Sequence, residues 1–170
     1  MKEKLPKPKI LVDTREHQMK VINALKEDGS VEIGSKSGGP ADYVIVDRAG
    51  NEWGIERKSF LDAYSSIIGK EASGGHRIYG QLAELIERYD GRAIFLLEAP
   101  KYFRKELGNP YIIIQSVYTF FSERSLVMPC MITRDERHTA YLLLKLAKSI
   151  HVMEFRGRGY RISVDTKSKR

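Results

Sequence analysis

Asp42, Glu56 and Lys58 are side chains of the kind that handle phosphate esters, and they lie close together in the chain. The segments ADYVIVD and NEWGIERK are rich in strand-forming residues and flank the three-residue loop RAG. Gly50, at the end of that loop, tolerates the left-handed conformation that such a hairpin needs. Side chains alternate along a strand, so Glu56 and Lys58 share a face. With a loop at 48–50, Asp47 faces Asn51 and Asp42 faces Glu56, their Cβ atoms about 5 Å apart. One residue of slip would turn Asp42 to the opposite face.

Two carboxylates that close repel unless a cation lies between them. Hard oxygen donors with room for water and a phosphate describe a Mg²⁺ or Mn²⁺ site. An ion there would lower the pKa of a bound water and stabilise a phosphorane-like transition state, while Lys58 orients that water or offsets the charge. Asp13, which ends the apolar run KILVD, is a candidate third carboxylate. Arg57 points to the other face of an ideal strand, so meeting substrate would require local distortion. An acid followed at a distance by E-x-K is common on surface strands and carries little weight alone. Other chemistries have less behind them. His17, His76, His138 and His151 show no metal-ligand spacing, and no Ser-His-Asp or Cys-His set is present. The loop GSKSGGP lacks the spacing of a nucleotide phosphate cradle. Cys130, in the run LVMPCMI, reads as a small buried side chain rather than a reactive thiol.

The elements that must position these residues are legible from periodicity. KILVD predicts a buried strand, followed by a helix with Met19, Val21, Ile22 and Leu25 on its apolar side and Asp28-Gly29 as its stop. Residues 34–40 read as a loop. Ser59 to Asp62 has capping-box spacing and opens a helix through Phe60, Tyr64, Ile67 and Ile68. A second helix, from Arg77 to Tyr89, sets Ile78, Leu82, Leu85 and Ile86 against Arg77, Gln81, Glu84 and Arg88. RAIFLLE is apolar without alternation, as a strand covered on both faces is, and is the candidate for the sheet centre. Residues 111–121 read as a helix and LVMPCMIT as a strand. Thr133 to Glu136 reads as a capping box opening a helix to about His151, and a short strand is expected at 160–164.

At 42% hydrophobic and 30% charged, the chain has the composition of one ordinary folded domain. No stretch reaches the roughly 18 apolar residues of a membrane helix, which gives the expectation of an intracellular protein with no membrane partner. The net charge of +7 sits at the ends: +3 over residues 1–9 and +5 over 155–170, leaving the body at −1. Basic arms suit a phosphate backbone, and they equally suit solvated tails. The last long helix carries Tyr141, Leu142, Leu143, Leu144, Leu146 and Ile150. Such apolar surface fits either a homodimer interface or burial within the monomer.

VDTRE at 12–16, ADY at 41–43, IERKSFLD at 55–62, HRIYGQ at 76–81 and FLLE at 95–98 together resemble the nuclease domain of the XPF/Hef family of structure-specific endonucleases. That family's pattern of G-D, a gap, E-R-K, three residues and D is met in order by Asp42, Glu56, Arg57, Lys58 and Asp62, over a resemblance covering about residues 9–152. It implies an α/β fold, restriction-endonuclease-like, with a mixed sheet flanked by helices on both faces. It also implies divalent-metal cleavage of duplex DNA near branches such as forks and 3′ flaps, and a dimer, homodimeric or heterodimeric. By position, Asp13, Asp42 and Glu56 would be metal ligands, and Lys58 and Arg57 catalytic. Arg15, Arg77 and Gln81 would contact DNA, with Glu16 and Asp62 in support. Plainer readings stand beside these: Asp62 as a helix cap, Arg15 and Glu16 as an exposed ion pair, Arg77 and Gln81 as solvated.

Ala41 stands where the family has Gly, and KEASGGH at 70–76 lengthens a loop the family keeps short. The expected organisation is a nuclease domain over 1–153 and a basic tail over 154–170. Family members usually continue into a tandem helix-hairpin-helix domain that grips DNA. Here the tail, a further domain or a partner is expected to serve instead. Two rival functions fit the same residues: a four-way junction resolvase, and a non-catalytic DNA-binding subunit of the same fold.

Overall fold

The computed structural model describes residues 7–15, 19–47, 49–68, 77–99, 115–117, 119–120, 122 and 128–155. The strands are β1 (Lys9–Asp13), β2 (Glu32–Lys36), β3 (Tyr43–Val46), β4 (Glu52–Ser59), β5 (Ala93–Glu98) and β6 (Cys130–Thr133). The helices are α1 (Met19–Asp28), α2 (Phe60–Ile68), α3 (Arg77–Arg88) and α4 (Glu136–Phe155). The six strands form one mixed sheet in the order β2-β1-β3-β4-β5-β6. β3 runs antiparallel to both β1 and β4, and the remaining pairs are parallel.

Alternation along the strands builds a core on each face. Val44, Phe95 and Leu97 meet Phe60 and Ala63 of α2 and Ile78, Leu82 and Leu85 of α3. Ile10, Tyr43, Ile45, Ile55, Ile94 and Leu96 meet Val21 and Leu25 of α1 and Leu143, Ala147 and Ile150 of α4. Complete burial of a Phe or Leu side chain such as Phe95 or Leu96 contributes roughly 1.5–3 kcal/mol each. This is the α/β sheet covered on both faces that the resemblance implies.

Three expectations change, and one open alternative is decided for part of α4. Gly34, Ser35 and Lys36 belong to β2, an edge strand parallel to β1, and not to a loop. A Cβ at Gly34 would lie 2.8 Å from Leu11 Cδ2, so the residue that looks like a loop marker is what lets β2 approach. β5 is buried on both sides but lies one strand in from the β6 edge, with β3 and β4 central. α4 is capped by Asp135, whose Oδ1 accepts from His138 N at 2.9 Å, while Thr133 turns inward to Thr139 at 2.7 Å. Finally, Leu143, Leu144, Ala147 and Ile150 of α4 are buried within the monomer, and Tyr141 stays exposed. Within the predicted helix at 111–121, residues 115–117 and 119–120 are helical, with Val117 and Phe120 buried. The predicted strand at 160–164 lies outside the described residues, as do Glu16, His17 and His76. Among the described residues no helix is long and apolar enough to cross a membrane.

Candidate active site

The hairpin loop has odd length. Tyr43 pairs with Ile55, Val44 with Gly54, Ile45 with Trp53 and Val46 with Glu52, the register that the three-residue loop specifies. Asp47 sets it: its Oδ1 accepts from Ala49 N and Asn51 N, each at 2.9 Å, and Gly50 adopts φ 85°. The ladder changes at its far end. Asp42 N donates to Ile55 O at 3.0 Å, although Ile55 is the partner of Tyr43. Two consecutive residues thus face one, as in a β-bulge, which re-aims a side chain at the end of a strand. Asp42 Oδ2 then accepts from Arg57 N at 2.8 Å.

Asp13 reaches the same place from β1, with its N–H donating to Asp42 O at 2.8 Å. Asp13, Asp42 and Glu56 therefore stand at one level across three adjacent strands. They line a cleft of about 440 Å³, with Arg15, Gly39 and Pro40 at its rim and Gln81 and Glu84 of α3 opposite.

Each acid meets a donor of positive or partial positive charge. Asp13, 3% exposed, accepts at Oδ1 from Arg15 N (2.8 Å) and Nε (3.0 Å), and at Oδ2 from Arg15 Nη2 and Lys36 Nζ, both at 3.0 Å. The Arg15 guanidinium holds the Asp13 carboxyl far below the usual carboxylate range, overcoming burial that alone would raise it. Asp13 in turn raises the Arg15 pKa, with weaker help from Asp42 and Glu56. Glu56 is buried, and its Oε1 lies 3.1 Å from Lys58 Nζ. Among the described residues, Gln81 Oε1 is buried without a hydrogen-bond partner.

Other sequence candidates lie elsewhere. Arg57, expected to be catalytic, faces the α1/α4 side of the sheet, where Nη2 and Nε donate to Glu98 Oε2 at 2.8 and 3.2 Å. No distortion of β4 carries its guanidinium into the cleft. Ser59 caps α2 and Asp62 closes on the cap: Asp62 N donates to Ser59 Oγ at 3.2 Å, and Ser59 Oγ donates to Asp62 Oδ2 at 2.6 Å. Arg77 is exposed at the first residue of α3 and does not line the cleft. Lys36 joins the site although its segment has the glycine-rich composition of a loop, because β2 pairs in parallel with β1 and sets Lys36 opposite Asp13. Its only sequence signal is its place between two glycine-containing turns. Among the described residues, no three His, Cys, Asp or Glu side chains form a ready-made metal-ligand group.

A mixed sheet covered on both faces, with acids from adjacent strands lining one cleft and Lys58 beside one of them, is the arrangement of a nuclease domain. The chain belongs to the ERCC4 domain family, which matches residues 12–158. Its fold is similar to that of XPF from Aeropyrum pernix, solved in complex with DNA, with a TM-score of 0.65 and 23% identity over 92% of this chain and 69% of that one. A second structure of XPF from Aeropyrum pernix gives a TM-score of 0.63 and 25% identity over 88% and 69% of the two chains. Comparison with curated proteins finds no match. Family and fold together make this an XPF/Hef-family DNA endonuclease domain.

Proposed function

We propose that this domain cuts one strand of branched DNA, at forks and 3′ flaps, in a reaction that depends on Mg²⁺ or Mn²⁺. The observation that carries the reading is the convergence of Asp42 and Glu56 on one cleft, with Lys58 Nζ 3.1 Å from Glu56. Mg²⁺ is commonly held by one or two carboxylates, water and substrate phosphate, so the two acids suffice in kind and number. Asp42 and Glu56 would hold the ion, which when bound supplies Lewis acidity and an acidified water. Asp13 serves as the third ligand only when Arg15 releases it, because both of its oxygens are engaged. Lys58 offsets charge on the phosphoryl group in flight, and Arg15, with its planar fork at the rim, holds a neighbouring phosphate. Gln81 meets DNA from the opposite wall. Arg77 and the basic residues of the 154–170 tail, which follows a nuclease domain at 1–153, add phosphate contacts further out. Exposed Ile132 on the β6 edge and Tyr141 on α4 support assembly as a homodimer or a heterodimer.

Labelled fork, flap, four-way and linear DNA, incubated with and without Mg²⁺ or Mn²⁺ beside a Glu56→Gln control, tests this. Single nicks near fork and flap junctions are expected, only with metal and only with Glu56 present. Metal-independent cutting, or cutting undiminished in the control, would sink the mechanism. Paired symmetric nicks across the four-way junction would make the protein a resolvase instead.

A further inference from the structure

Arg57 sits between two residues of the family motif yet has its back to the cleft. Its main-chain N–H donates to Asp42 Oδ2 at 2.8 Å on one side of the sheet. On the other side its guanidinium, 6% exposed, donates twice to Glu98 Oε2. That oxygen also accepts from Thr139 Oγ1 at 3.1 Å, and Thr139 lies 2.7 Å from Thr133 Oγ1. Thr133 and Thr139 are both fully buried. A continuous polar chain therefore runs from the Asp42 carboxylate, through residue 57, to the first turns of α4.

We infer that Arg57 is a positioning residue of the nuclease centre: its N–H fixes the orientation of the Asp42 carboxylate, and its guanidinium, anchored on Glu98 and Thr139, holds that N–H in place. The inference rests on Asp42 belonging to the acid centre. A guanidinium on the far face of the sheet is too far round to meet a phosphate in the cleft, so its effect on chemistry has to pass through the backbone. Desolvating both members of a buried ion pair offsets most of their attraction, so such pairs rarely add net stability over apolar residues of like volume. What this pair supplies is geometry. The fork of Arg makes two bonds to one oxygen and restricts rotation about the β4 backbone, which the single point charge of Lys does not. The bulge at Asp42 makes that restraint useful, because there the regular ladder no longer holds the acid in register.

The test compares the wild type, Arg57→Met and the double variant Arg57→Met/Glu98→Leu, in which an apolar pair fills the place of the ion pair. Hydrogen exchange of the residue 57 amide is read without metal or DNA. Cleavage and DNA affinity in Ca²⁺ are read separately. In Arg57→Met, exchange is expected to accelerate and kcat to fall, each by at least about tenfold, with DNA affinity within about twofold of wild type. In the double variant, slow exchange and most of the lost kcat are expected to return. A double variant that is folded and protected at residue 57 but as inactive as the single one would show that the guanidinium itself acts, overturning the inference. Unchanged exchange and kcat in Arg57→Met would overturn it as well. Full activity in Glu56→Gln would remove the proposed function instead, and the exchange measurement would still decide whether Arg57 orders its own N–H.

Discussion

Arg15 grips Asp13 with three hydrogen bonds, one from its main-chain N–H and two from its guanidinium, and Lys36 supplies a fourth to the same carboxylate. Two residues apart in sequence, the pair closes one wall of the acid cleft. Arg15 is two-thirds exposed and also donates to Gly39 O at 2.9 Å, while Asp13 is almost wholly buried, so the cation reaches solvent and the anion does not.

Arg15→Ala should therefore divide two properties that are usually lost together. With its resident cation gone, the acid cluster is expected to bind Mn²⁺ more tightly, roughly tenfold, because a like charge no longer competes for the same carboxylates. Cleavage should fall over the same comparison. Mn²⁺ titration followed by electron paramagnetic resonance measures the first effect. Weaker Mn²⁺ binding in the variant would show that Arg15 props the site open and does not occupy it.

The acid stability of the fold should carry the imprint of Asp13. Its folded pKa is depressed, chiefly by Arg15, so the stabilisation is present above the ordinary Asp value of about 3.8 and is lost as pH falls below it. Urea midpoints measured from pH 6 down to pH 2 should fall in that window for the wild type. Asp13→Asn should start lower and slope less. Parallel curves for the two proteins would exclude this linkage.

Gln81, across the cleft from Asp42 and Glu56, has a buried Oε1 with no hydrogen-bond partner among the described residues, an arrangement that burial alone disfavours. Gln81→Met removes the orphan acceptor at similar volume. Stability is expected to rise by about 1 kcal/mol, the low end of the penalty for such a group, while cleavage drops. Thermal melts and rate measurements on the same preparations decide it, and a variant that is more stable and fully active would relieve Gln81 of any role.

Gly54 lies two residues before Glu56, and a Cβ there would overlap the ring of Tyr89 at the end of α3. Gly54→Ala should destabilise the fold by about 1–3 kcal/mol, as overpacking does, and should shift β4 enough to lower cleavage. Gly54→Ala combined with Tyr89→Leu should recover both. Failure of the second change to restore stability would mean that glycine is needed for its backbone and not for the space.

The sequence by itself determined the register that the chemistry depends on. Asp47, the three-residue loop and Gly50 specify an odd hairpin, and strand alternation then sends Glu56 and Lys58 to one face and Arg57 to the other, because these are short-range consequences of backbone geometry, whereas the bulge before β3 brings Asp42 to them. Helices α2 and α3 were likewise legible from capping and apolar spacing. Only the tertiary structure decided what each charge meets. Lys36 reaches Asp13 through a parallel pairing of β1 with β2 that no local signal announces, and Glu98 reaches Arg57 because β4 and β5 lie side by side. The same is true of the N–H of Arg57, which turns a residue of the catalytic motif into the support of its neighbour Asp42. Asp42, Glu56 and Lys58 were visible as a set from their spacing. The cations and hydrogen bonds that hold them ready come from parts of the chain that only folding brings near.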